Sequence, residues 1–382
     1  VNYDADTIII GAGPAGLATA ACLARAGIDY LVLERHDVPG SAWHNHYDRL
    51  HLHTVKRYSH LPYRPFPEHY PQYPSRQQVV DYLVDYASHF GIAPRFGHTV
   101  QSAVRDGDGW AVTTDKATFR ARHLVCATGY SGVPKMPAWP GMDTFAGTII
   151  HSSHFKNAAD WRGKRAMVIG IGNSGAEIAI DLFEHGVLEP CISVRSPVHV
   201  LPRDMFGLLP AHMTGITMSR LPPKVADRLA LPLINAVMGD LTRYGLRQPA
   251  IGPAEQVVTQ GKIPLFDIGT IDLIKQGHLS VVPDVKKFTE TEVVFVDGTR
   301  RAMDAIVVAT GFAPALQRFF GDLTPSLVDR RGYPTHHGTE VPGRGLWFLG
   351  FRNPTIGQLN DIRLEAQRIS GQVAAKSGRA AA

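Results

Sequence analysis

Two glycine-rich turns carry the plainest chemistry in the chain. Gly11-Ala-Gly13-Pro-Ala-Gly16 and Gly170-Ile-Gly172-Asn-Ser-Gly175 both fit the dinucleotide fingerprint, in which glycines let a strand-to-helix turn approach a pyrophosphate. Each follows an apolar strand, and each is followed about twenty residues later by a group suited to a ribose. In the first copy that group is Glu34, whose carboxylate accepts hydrogen bonds from a ribose diol and repels a 2′-phosphate. In the second copy it is Arg195 with Ser196 beside it, a guanidinium and a hydroxyl suited to a 2′-phosphate. One such turn is a weak signal. Two, with ribose partners of opposite character, predict two different dinucleotides on one chain, FAD on the first copy and NADPH on the second.

The remaining candidates are weaker. His44, His46, His51 and His53 form two His-x-His pairs, but only Asp48 stands near them as a carboxylate, and a metal site needs further fixed ligands. They read as loop residues near a cofactor, with no metal. Cys22, Cys126 and Cys191 are isolated from one another and form no Cys-x-x-Cys, which argues against a redox disulfide and a zinc site and suits a reducing, cytoplasmic setting. The net charge of +5 comes without a basic run, so a nucleic-acid partner has little support. The start of the sequence lacks the pattern of a signal peptide. The most apolar helix candidate, Leu229 to Met238, contains Pro232 and Asn235 and is too short to span a bilayer, so no membrane partner is expected.

The elements that must hold these residues repeat. Asp6 to Ile10 reads as a buried strand, Leu17 to Ala24 as a helix of small residues, and Tyr30 to Leu33 as a second strand. Gln77 to Phe90 has a helical apolar period, Val100 to Thr114 alternates about Gly107-Asp-Gly109 as a hairpin, and Arg120 to Ala127 closes on Ala127-Thr-Gly129-Tyr130. The second copy gives Arg165 to Ile169, the helix Ala176 to Glu184, Cys191 to Val194, a hairpin-like segment Val282 to Val296, and Ala305 to Val308 before Ala309-Thr-Gly311-Phe312. Strand, glycine turn, helix, strand, hairpin and Ala-Thr-Gly-aromatic thus occur twice in order. The expected fold class is α/β, with two Rossmann-like dinucleotide-binding domains, each crossed by a β-hairpin or meander. At 382 residues two domains are expected. Residues 1–150 form the first part of the FAD domain, 151–304 the NADPH domain with an insertion at about 203–269, and 305–382 the return to the FAD domain. The insertion has helical patterning around Pro223 to Leu241; it could roof an active site or serve a subunit contact such as a homodimer.

The stretch between the two copies has Phe145, Gly147, His151 and Phe155 spaced as Phe-x-Gly-x-x-x-His-x-x-x-Phe/Tyr, which resembles the identifying motif of class B flavin-dependent monooxygenases. Longer stretches are similar to the YUCCA type, which converts indole-3-pyruvate to indole-3-acetate. They are Tyr47 to His53, Pro65 to Glu68 leading to Tyr73 to Gln77, Val194 to Ser196 leading to Val198 to Arg203, and Gly252 to Gly269. The resemblance implies FAD, NADPH and O2 acting through a C4a-(hydro)peroxyflavin on a small-molecule substrate, and oxidative decarboxylation of an aryl 2-oxo acid. Implied alternatives are S- or N-oxygenation or Baeyer–Villiger oxidation within the same machinery, and a flavin-binding sensor outside enzymes. The cofactor set becomes Gly11, Gly13, Gly16, Glu34, Arg35, Trp43, Thr128 and Gly129, with Gly170, Gly172, Asn173, Ser174, Gly175, Arg195, Ser196, Thr310, Gly311 and Gln358. Lys56 is the candidate cation for peroxide or substrate carboxylate, aided by Arg57, with Tyr58, Tyr63 or Phe66 as an aromatic slot. His151 joins Lys56 as the catalytic candidates, with a positioning role. Pro39 to Trp43 and Asn353 to Asn360 depart from the family pattern; the latter is expected at the flavin ring, so the departure touches substrate choice.

Overall fold

Each glycine turn follows the carboxyl end of a central strand flanked by parallel neighbours in its own sheet. The computed structural model describes residues 2–378, which divide into two compact units. One comprises the chain up to His44, Thr54–Val133 and the chain from Phe312 onward; the other comprises Asn45–His53 and Pro134–Gly311.

In the first unit, strand Ala5–Ile10 lies between Tyr30–Leu33 and Thr118–Cys126, parallel to both. Leu346–Phe348 adds a further parallel strand beside Thr118–Cys126. Val100–Asp106 and Gly109–Thr114 form the expected hairpin and extend the same sheet antiparallel. The run Ile8-Ile-Ile10 is buried on both faces, as a central parallel strand requires. Helix Pro14–Arg25 opens with Pro14 in its first turn, where a missing N–H costs nothing. Its alanines let the C-terminal helix Gln358–Lys376 pack closely against it. Helix Arg76–His89 is held by a capping box between Ser75 and Gln78.

The second unit is a five-stranded all-parallel sheet in the order Ser280–Val282, Leu188–Ser193, Arg165–Ile169, Ala305–Val308, Thr148–His151. Val285–Phe288, Glu292–Phe295 and Arg300–Ala302 form a three-stranded antiparallel sheet, so the expected hairpin has a third strand. The insertion belongs to this unit: Ile234, Met238, Leu241, Leu246 and Leu265 enter the same core as Val168, Ile178 and Ile192.

Two sequence-based boundaries move. Ala305–Val308 does not begin the return to the first unit; it lies between Arg165–Ile169 and Thr148–His151 in the second sheet, and the return starts at Phe312. Likewise 134–150 belongs to the second unit, because Thr148–His151 pairs with Ala305–Val308 there. An apolar strand has the same composition in either sheet; hydrogen-bond pairing assigns it.

Candidate functional site

The two glycine turns have nearly the same geometry. Gly11 and Gly170 take φ of +104° and +106°, a region open to glycine. A Cβ on Gly16 would lie 1.8 Å from the Gly11 carbonyl oxygen, and one on Gly175 would lie 1.9 Å from that of Gly170, so the third glycine permits the helix to cross the strand. The middle glycine differs: a Cβ on Gly13 or Gly172 meets nothing within 4 Å. Space is left where a pyrophosphate must approach. The helices Pro14–Arg25 and Asn173–Glu184 start at Gly13 and Gly172 without side-chain caps, leaving first-turn N–H groups for an anion. Both cradles therefore fit a dinucleotide.

Around the first turn, Glu34 is 5% exposed. Its carboxylate accepts from the Ala12 N–H at 2.7 Å, the His36 N–H at 3.0 Å and Ser41 Oγ at 3.4 Å. It thus clamps the turn to the end of its strand, ready to accept a ribose hydroxyl on a remaining lone pair. Arg35 is exposed and its Nε donates to His36 Nε2. Trp43 is half-buried on the short helix Ser41–Asn45. Thr128 and Gly129 continue from Cys126, whose Sγ is 3.6 Å from Thr128 Oγ1. The segment after Leu346–Phe348 returns beside this turn: a Cβ on Gly350 would meet Ala15 Cβ at 2.9 Å. Gln358 then donates to the Gly350 carbonyl at 3.1 Å.

Around the second turn, Arg195 and Ser196 are exposed at the end of Leu188–Ser193, where an incoming phosphate can reach them. Asn173 is engaged with protein: its Oδ1 accepts from the Phe266 N–H at 2.8 Å and its Nδ2 donates to the Pro264 carbonyl. Its side chain thus anchors the insertion, and only its backbone N–H, in the first turn of Asn173–Glu184, faces the cofactor role expected of it. Ser174 hydrogen-bonds the buried Tyr47 phenol. Thr310 Oγ1 donates to the Lys135 carbonyl.

His151 ends the edge strand Thr148–His151 and is 3% exposed. Its Nε2 lies 3.1 Å from the Gly311 carbonyl, and its Nδ1 accepts from the Ser153 N–H at 3.1 Å. A carbonyl only accepts, so Nε2 carries the proton and Nδ1 is bare. Burial lowers the pKa and keeps this ring neutral. The imidazole thus ties the linker motif to the Ala-Thr-Gly turn. The other motif residues pack: Phe145 against Phe288, Phe155 against Trp161. A Cβ on Gly147 would strike the Asp304 carbonyl at 2.6 Å.

Lys56 is a correction. Its ammonium donates to the Pro67, Glu68 and Tyr70 carbonyls, so it braces that loop; three carbonyls already use the three donors of an ammonium. Phe66 is also not a slot residue: it is 5% exposed and stacks on Tyr82 at 4.0 Å between centroids. Tyr63 is 43% exposed with the Arg25 guanidinium 4.4 Å over its ring, and Arg57 is exposed beside Tyr58.

Sequence reading missed Glu177. It is 1% exposed on helix Asn173–Glu184, and its Oε1 is 2.5 Å from His53 Nε2. Burial first, then the Glu177 charge, holds the Tyr47 phenol firmly protonated. The available signal was one acid inside the apolar run Ala176-Glu-Ile-Ala-Ile180. The His-x-His pairs are thereby separated: His51 Nδ1 bonds the Arg49 carbonyl while His53 pairs with Glu177.

Comparison with known proteins agrees with this geometry. A family described as pyridine nucleotide-disulphide oxidoreductase matches residues 8–197. The indole-3-pyruvate monooxygenase YUCCA1 of Oryza sativa subsp. japonica is 44% identical over 90% of this chain and 86% of its own. The indole-3-pyruvate monooxygenase YUCCA6 of Arabidopsis thaliana is 42% identical over 96% and 89%. Among solved structures, a flavin-containing monooxygenase from Stenotrophomonas maltophilia covers 98% of this chain and 100% of its own at a TM-score of 0.71 and 24% identity. A cyclohexanone monooxygenase from Rhodococcus sp. Phi1 bound to NADP+ covers 99% and 85% at a TM-score of 0.76 and 20% identity. At those identities the two structures show the fold.

Proposed function

The chain belongs to the YUCCA family of flavin-dependent monooxygenases, and from that premise we propose that it oxidatively decarboxylates an aryl 2-oxo acid such as indole-3-pyruvate to the shortened acid. It is an enzyme that uses FAD, NADPH and O2. FAD held at the Gly11–Gly16 turn would supply the hydride acceptor and the oxygen-activating group. The reaction consumes one NADPH, one proton and one O2 per 2-oxo acid, and returns the shortened acid, CO2, NADP+ and water.

The observation that carries the reading is the pair of cradles with open middle glycines, one ending in Glu34 and the other in Arg195. Gly11, Gly13 and Gly16 with the N-terminus of Pro14–Arg25 hold the FAD pyrophosphate, and Glu34 holds its adenosine ribose. Gly170, Gly172 and Gly175 hold the NADPH pyrophosphate. Arg195 and Ser196 take its 2′-phosphate. His151 keeps the Gly311 turn in place without exchanging a proton, since its one N–H is committed to a carbonyl. A chain that merely sensed flavin would have no use for the second cradle. The three cysteines are free and buried, which fits a reducing, cytoplasmic setting and gives no support to dithiol chemistry.

The test is aerobic NADPH turnover with product analysis on indole-3-pyruvate, phenylpyruvate, a thioether and a cyclic ketone. The reading expects arylacetate from the 2-oxo acids. Sulfoxide or lactone with no arylacetate refutes the decarboxylase assignment and leaves the family assignment standing.

A further inference from the structure

The insertion carries large apolar side chains that its own unit does not bury. Helix Pro223–Met238 packs Ala226, Ile234 and Met238 inward. Its opposite face presents Val225, Leu229 and Leu233, which are 45%, 58% and 42% exposed and spaced four residues apart, so they form one stripe. Leu221 precedes them, also exposed. In the same insertion, the turn between Asp204–Met205 and Leu209–Pro210 raises Phe206 and Leu208, 67% and 88% exposed. A surface helix ordinarily shows polar residues on its outer face, and an apolar outer face marks an interaction site.

Charge identifies the kind of partner. Between Ala211 and Gly239 the basic residues are Arg220, Lys224 and Arg228, all exposed. The single acid there, Asp227, is buried, with its carboxylate accepting from the Ala254 and Glu255 N–H groups. Lys224 comes within 3.7 Å of Glu255 yet stays 81% exposed. Lys224 and Arg228 immediately precede Val225 and Leu229, so cations edge the apolar stripe. We propose that this face docks on an anionic lipid bilayer, with the leucines entering the acyl boundary and the three basic residues meeting headgroup phosphates. A fluid lipid surface needs no preformed groove to receive these exposed side chains. Among the described residues no helix is long and apolar enough to cross a membrane, so the association is peripheral. It is independent of the substrate.

The test is sedimentation of the FAD-loaded protein with vesicles of phosphatidylcholine alone or mixed with phosphatidylglycerol. The parent should bind the mixed vesicles and prefer them to the neutral ones. Arg220→Gln, Lys224→Gln and Arg228→Gln should weaken that binding by roughly fivefold per removed charge. The pair Leu229→Ser and Leu233→Ser should weaken it by at least about tenfold. FAD content and NADPH oxidation in solution should not change in either variant. Equal binding to both vesicle types, or variants that bind like the parent, overturns the proposal. So does a solution dimer that the leucine pair dissociates while no vesicle binds, which would give the face to a second copy.

Discussion

At the residue scale the middle and third glycines of the first turn make separable demands. A side chain at Gly13 has open space in the protein and would collide only with a pyrophosphate, whereas one at Gly16 collides with the Gly11 carbonyl. Gly13→Val should therefore fold with little change in Tm and emerge colourless, while Gly16→Ala should lose more than about 3 kcal/mol of stability. Absorbance at the flavin band and a thermal melt separate the two; a yellow Gly13→Val would remove FAD from this turn. Arg195 makes a second residue-level prediction. Charge-assisted contacts are worth ~1.5–3 kcal/mol, so Arg195→Ala should lose roughly 10- to 150-fold in kcat/KM with NADPH and change little with NADH. Equal losses with both cofactors would show that the guanidinium does not meet the 2′-phosphate.

At the element scale two helices carry buried charge. On Asn173–Glu184, Glu177 receives His53 from the segment 45–53. Removing one member of a buried pair costs about 3–5 kcal/mol because the other is stranded. His53→Leu should therefore destabilise more than the double variant His53→Leu/Glu177→Leu, as chemical denaturation can measure; an additive cycle would mean no coupling. On Gln358–Lys376, Glu365 and Asp361 share the Arg352 guanidinium at 2.8 and 2.9 Å. Burial, then Asp361, raises the Glu365 pKa to about 7 from 4.5, against the pull of Arg352. The folded state thus binds the proton more tightly than the unfolded chain. Glu365's contribution is full below about pH 4.5 and is lost as pH rises to about 7. Glu365→Gln should raise stability at pH 8 by on the order of 1–3 kcal/mol relative to the parent and by little at pH 4.5; a pH-independent difference would contradict it.

At the scale of the whole molecule, the duplication was legible because it is written in local signals: glycine turns, apolar runs and the Ala-Thr-Gly repeats. The positions of Glu34 and Arg195 just past their strands were legible too, since each follows an apolar run at the fingerprint's spacing. What escaped depends on long-range pairing. The hydrogen bonds of Thr148–His151 place 134–150 and Ala305–Val308 in the second sheet, and nothing in their composition says so. Lys56 looked like a free cation because the carbonyls that use it lie 11 to 14 residues away on an irregular loop. Glu177 lay unremarked in an apolar helix until His53 was brought to it. The function of the assembled chain rests on one balance of atoms. Incubating the FAD-loaded enzyme with NADPH, indole-3-pyruvate and 18O2 should release CO2 and give indole-3-acetate carrying one labelled oxygen, with one NADPH consumed per product. NADPH oxidation that yields labelled hydrogen peroxide and no labelled indole-3-acetate would contradict the account.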